Sequence, residues 1–338
     1  MVHCPACGRE NPEDSTYCAY CGSAVERIDL RRMETLTAPE RQQIRKEVAA
    51  GPRLERMPSK YWPIAALLVY IVGIIVVLAV FISAIVSRIT EGYYYEDSII
   101  DDIMMTYLVS AALVSFVTSL IFGTAVYLML EGRKEHFNRE VRLVNGIIRY
   151  VHKVADACET PLTLDPYAGV RFERETRDRS FKIRPGDLHS PALWAAVIIV
   201  APTLGSLLAI PFYAQEYQEY ALVVVPALLG MAILLLAFIY MMHRWTKDME
   251  SHDARWRKFA AATGIALHRL GYDVQRLPEL RRLPNRSSAA SVVLTIFFGM
   301  IAMAIWMYNI MDDQNMHSRR QRAFEQSFLD LIEPGSRR

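Results

Sequence analysis

The chain has 338 residues, of which 52% are hydrophobic and 22% charged, with a net charge of only +2. So small a net charge excludes a global electrostatic attraction to nucleic acid. The apolar share excludes an ordinary soluble composition, because the apolar residues lie in long blocks with the charges gathered between them.

At the N-terminus, Cys4-Pro5-Ala6-Cys7-Gly8 and Cys18-Ala19-Tyr20-Cys21-Gly22 are two near-identical knuckles, while the fifth cysteine, Cys158, stands apart. Each CxxC turn brings two thiolates together, and two turns supply four soft ligands in tetrahedral geometry, which suits Zn2+. With all four positions filled by protein, no site is open for a catalytic water, so Cys4, Cys7, Cys18 and Cys21 are expected to hold one structural zinc. His3 is expected to be a bystander. Residues 1–25 are polar and lack an apolar leader, so the N-terminus is expected in the cytosol, where thiols stay reduced. The pattern resembles the short double-CxxC zinc-ribbon domains at the N-termini of many prokaryotic membrane proteins, with the Asn11-Pro12 turn and Tyr17 fitting the likeness. That resemblance is limited to residues 1–24 and implies a metal-folded interaction module. The same residues hold one Arg and no Lys, a poor footprint for nucleic acid.

Residues 26–60 read as a basic helical linker. Thr37-Ala-Pro-Glu40 has the form of a capping box, which predicts a helix from Ala38 to Ala50 ending at Gly51-Pro52. Beyond it, five stretches without charge are long enough to cross a hydrocarbon core of about 30 Å. They run over Trp62–Val86, Met104–Leu130, Pro191–Tyr213, Tyr220–Met242 and Ala289–Met311. Lys and Arg number ten in residues 1–61, twelve in 131–190 and ten in 243–288, against one in 87–103 and none in 214–219. That alternation places the N-terminus and both long loops inside. Five crossings then put the C-terminal tail outside, where Asp312 and Asp313 agree and Arg319, Arg320 and Arg322 do not.

A shift of 116 residues lays His136, Arg139, Arg142, Leu143, His152 and Lys153 on His252, Arg255, Lys258, Phe259, His268 and Arg269. The fold class expected is therefore an all-α polytopic membrane protein with a small N-terminal zinc ribbon. About five transmembrane helices form two hairpin-plus-cytoplasmic-helix repeats and one final span. The divisions are 1–25, 26–60, 61–190 (first hairpin and cytoplasmic segment), 191–288 (second) and 289–338 (last helix and tail). Across such a pseudo-symmetric bundle His136 can face His252, with Arg139 and Arg255 one turn on; the leading reading of these residues is headgroup contact that stabilises the bundle, and an interaction surface is the alternative.

No Walker loop, HExxH or GxSxG motif is present and the spans carry no acidic pair, so no catalytic residue is assigned. Spans without ionisable groups also argue against ion-coupled transport. Pro202, Gly205 and Pro211 are expected to break the third span, and Pro226 and Gly230 the fourth, which keeps a transporter or channel component regulated by the ribbon as the alternative. Met300, Met303, Met307 and Met311 share a face that reads as adaptable packing. Phe324, Phe328 and Leu331 share another, expected to lie on a membrane surface. The leading expectation is a scaffold or adaptor in the plasma membrane. Its partners are the lipid bilayer, a protein recruited through the ribbon, and other subunits in a homo- or hetero-oligomer.

Overall fold

The computed structural model describes residues 2–4, 7–12, 15, 18–21, 30–54, 58–90, 97–157, 190–208 and 220–333. Strand β1 (Val2–His3) pairs antiparallel with β2 (Glu10–Asn11), Val2 opposite Asn11 and His3 opposite Glu10. Seven α-helices follow among the described residues: α1 Leu30–Leu54, α2 Trp62–Thr90, α3 Asp97–Ala157, α4 Pro191–Leu208, α5 Tyr220–Arg269, α6 Ser288–Phe298 and α7 Met300–Ile332. Among the described residues beyond the N-terminal module the fold is all-helical. Cys158 and the charged segment 171–182 lie outside the described residues.

Two of these helices, over Trp62–Ser87 and Val109–Ala157, are long and apolar enough to cross a membrane. Only 11% of the most apolar stretch of α2 is buried, whereas an apolar helix inside a soluble core is covered on most sides. Exposed apolar side chains continue the same belt through Val109 and Leu113 on α3, Leu235 and Leu236 on α5, Ile296 and Phe297 on α6, and Ile301 and Ile305 on α7. An apolar surface of that extent needs a cover that water does not supply.

The long helices α3 and α5 do not stop where their apolar sequence stops. Each runs on into a charged half, 61 and 50 residues in all, or about 90 and 75 Å at 1.5 Å per residue. Two cores result. One joins Ala66 of α2, Phe122–Leu130 of α3, Phe238–Trp245 of α5 and Met303–Met311 of α7. The other joins Ile44 and Val48 of α1, Leu143–Ala155 of α3, Trp256–Leu267 of α5 and Phe324–Ile332 of α7. Met303, Met307 and Met311 are buried in the first, as packing residues. Phe324, Phe328 and Leu331 are buried in the second and form no surface-lying face, which corrects the expectation for them.

Helix α1 also departs from expectation. It begins at Leu30 and passes through Pro39 and Pro52. Thr37 is buried inside it and its hydroxyl donates to the Met33 carbonyl, so it does not cap an N-terminus. The reason is tertiary: α1 lies along α3 and α7, where Lys153 pairs with Glu40, Arg142 with Glu47 and Arg45 with Glu333. Packing of one face outweighs the local stop signals.

The last expected span is not one helix. The chain turns at Gly299, whose φ of +52° is open to glycine and strained for other residues. This turn separates α6 from α7. Arg286 and Asp312, each thirteen residues from the turn, meet at 2.9 Å, and Arg286 also reaches Asp313 at 3.2 Å. Thus 288–311 folds as a helical hairpin that returns to its starting end. The same end holds Lys60, 2.8 Å from Asp312, and Pro58, whose carbonyl accepts from Asn315. The start of the tail and the linker preceding α2 therefore meet at one end of the helices. Helix α4 continues through Pro202 and Gly205, and α5 through Pro226 and Gly230, so those residues break neither helix; Pro211 lies outside the described residues.

Candidate functional site

In the N-terminal module, strands β1 and β2 and the turn that follows bring four cysteine sulfurs within 4.8 Å of one another. Cys4 Sγ lies 3.4 Å from Cys21 Sγ, and Cys7 Sγ lies 3.6 Å from Cys18 Sγ. Cys4 and Cys18 are buried, Cys7 and Cys21 exposed. Asn11 organises the pair of knuckles: its side-chain amide donates to the Arg9 carbonyl and to Cys18 Sγ, and its oxygen accepts from the Ala19 amide. The Tyr20 amide also donates to Cys18 Sγ at 3.4 Å. His3 sits apart, exposed and 3.6 Å from Glu10.

Residues 3–25 match the family model of the zinc-ribbon domain. The N-terminal module is a zinc ribbon. No curated protein and no solved structure matches the chain. The ribbon's donors fit its metal. Four sulfurs about 2.3 Å from a tetrahedral ion stand about 3.8 Å apart, within a few tenths of an ångström of the two separations seen. The two thiols that face each other are held unequally. Burial raises the Cys18 thiol, but amides of Tyr20 and Cys21 and the Asn11 side chain outweigh it and leave it at about 6. The Arg9 amide lowers Cys7, yet burial and the three neighbouring thiols push it up to about 12. A metal ion between the four sulfurs would hold all of them as thiolates.

A second constellation lies between the two apolar cores. His136 of α3, His252 of α5 and His317 of α7 are 3%, 5% and 1% exposed, and their ring nitrogens fall within 4.8 Å of one another. Ring centroids are 5.5 Å apart for His136 and His252, 5.6 Å for His136 and His317, and 4.8 Å for His252 and His317. Buried Glu140 faces the cluster, its Oε2 3.3 Å from His252 Nε2 and 4.0 Å from His136 Nε2. Asp253 receives His317 Nδ1 at 3.0 Å and is itself held by Arg257 Nε at 2.9 Å. Burial holds His252 well below the usual imidazole value, and His317, His136, Arg255 and Arg133 push it the same way. Burial lowers His317 too, and outweighs the opposing pull of Asp253.

The His136/His252 pairing expected from the internal repeat is thus present as a contact, but in the interior. Arg139 is fully buried and turned from the histidines: it forms a two-pronged ion pair with Glu325 at 2.7 and 2.9 Å and donates to the Glu47 carbonyl. Arg255 is half-buried and donates to Ser251 Oγ. His317 was missed by sequence reasoning because α7 has no counterpart in the repeat. The signal available was a lone histidine among the buried positions of a helix whose neighbours Gln314, Ser318 and Gln321 are also polar and buried.

Proposed function

We propose that this chain is a multi-pass membrane protein of the plasma membrane that acts as a scaffold or adaptor, its zinc ribbon recruiting a protein at the cytoplasmic face. The observation that carries the reading is the ribbon itself. Its four cysteines use every position of a tetrahedral ion, so the metal is structural and the module offers a folded surface without a reaction. A module this small buries too little apolar surface to fold unaided, so the surface exists only with its zinc. The apolar halves of α2, α3, α4 and α5 supply four crossings, and α6 with the start of α7 dips in and returns. Lys and Arg gathered in 1–61, 131–190 and 243–288 keep those segments cytoplasmic.

The test is a comparison of mildly crosslinked, detergent-solubilised complexes from cells carrying the wild type or Cys18→Ser. Loss of a cytosolic partner from the mutant at normal membrane abundance is the expected result. An unchanged partner list would remove recruitment by the ribbon from consideration.

A further inference from the structure

We infer that His136, His252 and His317, with the Glu140 carboxylate, bind a divalent transition-metal ion that ties α3, α5 and α7 together, a site separate from the ribbon and independent of the ribbon's role. Three imidazoles from three helices converge on one point, and imidazole nitrogen suits zinc, iron, nickel or copper. Nitrogens about 2.1 Å from a tetrahedral ion stand about 3.4 Å apart, so closing the present arrangement needs only small ring rotations. Glu140 lies beside two of the three rings and is the natural fourth donor.

The surroundings are built as a ligand's surroundings are built. His317 Nδ1 donates to Asp253, which fixes the tautomer and leaves His317 Nε2 as the free lone pair. A carboxylate behind a histidine is the usual orienting partner of a metal ligand. Asp253 is in turn fixed by Arg257 and by the Leu283 amide. His317 Nε2, beside the Gln321 side chain, and Glu140 Oε1 are buried without a hydrogen bond of good geometry among the described residues. Buried polar atoms are ordinarily paired, and one ion would satisfy both at once. The flanking cations do not occupy the centre: Arg133 is 4.0 Å from Asp248, Arg139 is paired with Glu325, and Arg255 bonds Ser251.

The experiment counts metal on the full-length protein in detergent, stripped with chelator, reloaded with Zn2+ alone and dialysed. Wild type is expected to retain two equivalents, and a variant with Cys4→Ser, Cys7→Ser, Cys18→Ser and Cys21→Ser one. Adding His317→Ala to that variant removes the remaining equivalent. Cobalt in the four-serine protein is expected to show ligand-field bands without sulfur-to-metal charge transfer. Asp253→Asn in the same background keeps all three imidazoles and is expected to weaken zinc binding about 10- to 100-fold. Thermal unfolding in chelator separates loss of fold from loss of ligand. Should His317→Ala fail to fold, the Asp253→Asn affinity decides in its place. A four-serine protein that unfolds cooperatively yet retains no zinc, or an Asp253→Asn affinity equal to its parent's, would overturn the site.

Discussion

The two buried polar centres beside each other on α3 differ at the level of single residues. Arg139 and Glu325 answer each other completely: both are buried, both oxygens of the carboxylate are used, and Gln321 donates to Glu325 Oε1. Removing one partner strands a charge, whereas removing both need not cost anything. Glu325→Ala is therefore expected to destabilise the protein by about 3–5 kcal/mol. Arg139→Met combined with Glu325→Leu is expected to restore most of it, both read as midpoint shifts in thermal unfolding in detergent. A double variant as unstable as Glu325→Ala would mean that this pair contributes more than mutual neutralisation. Three imidazoles and Glu140 one turn away have no such closed arrangement. The cysteine ligands were legible because spacing alone brings their sulfurs together, and His136 and His252 because a repeat aligned them. His317 depends on a third helix arriving from 65 residues further along the chain, and no local spacing encodes that.

At the scale of elements, apolar length marked blocks that lie within described helices, such as Trp62–Val86 inside α2, and failed where packing overrode a local signal. Pro52 and the Thr37–Glu40 motif read as boundaries of α1, but its contacts with α3 and α7 carry it through both. Gly299 read as one more residue of a span, because a single glycine in an apolar run is indistinguishable from an ordinary membrane glycine until its φ is known. Substitution separates the two kinds of glycine. Gly299 has open space for a Cβ but a φ of +52°, whereas a Cβ added at Gly264, inside α5, would stand at ordinary contact, 3.8 Å, from Leu277 Cδ1. Gly299→Ala is expected to lower stability by about 1–2 kcal/mol through left-handed strain. Gly264→Ala is expected to raise it by about 0.4–1 kcal/mol by restricting the unfolded chain. Equal effects of the two substitutions in thermal unfolding would show that position 299 adopts an ordinary helical conformation, and the hairpin would go with it.

For the molecule as a whole, the polar layer of His136, Glu140, Asp253, His317 and the Arg139–Glu325 pair separates an apolar core under an exposed apolar belt from a second core wrapped by charged surface. On the membrane reading proposed above, the boundary between lipid and water falls along α3, α5 and α7, close to where their apolar sequence ends. Counting spans by hydropathy alone gave an odd number and sent the tail across the membrane, against the sign of Arg319, Arg320 and Arg322. If the hairpin at Gly299 does not cross, as proposed above, that conflict is removed. Arg286 meets Asp312, Lys60 meets Asp312, and Arg45 meets Glu333, so three separate ion pairs hold the start of α6, the tail and the linker at one end. Sealed membrane vesicles of known orientation, with one epitope before Met1 and another after Arg338, test this directly. Protease added outside is expected to digest both epitopes in inverted vesicles and to spare both in right-side-out vesicles. Digestion of one with protection of the other would mean that 289–311 crosses outright, and the ion pairs of Arg286 and Lys60 with Asp312 could not then form.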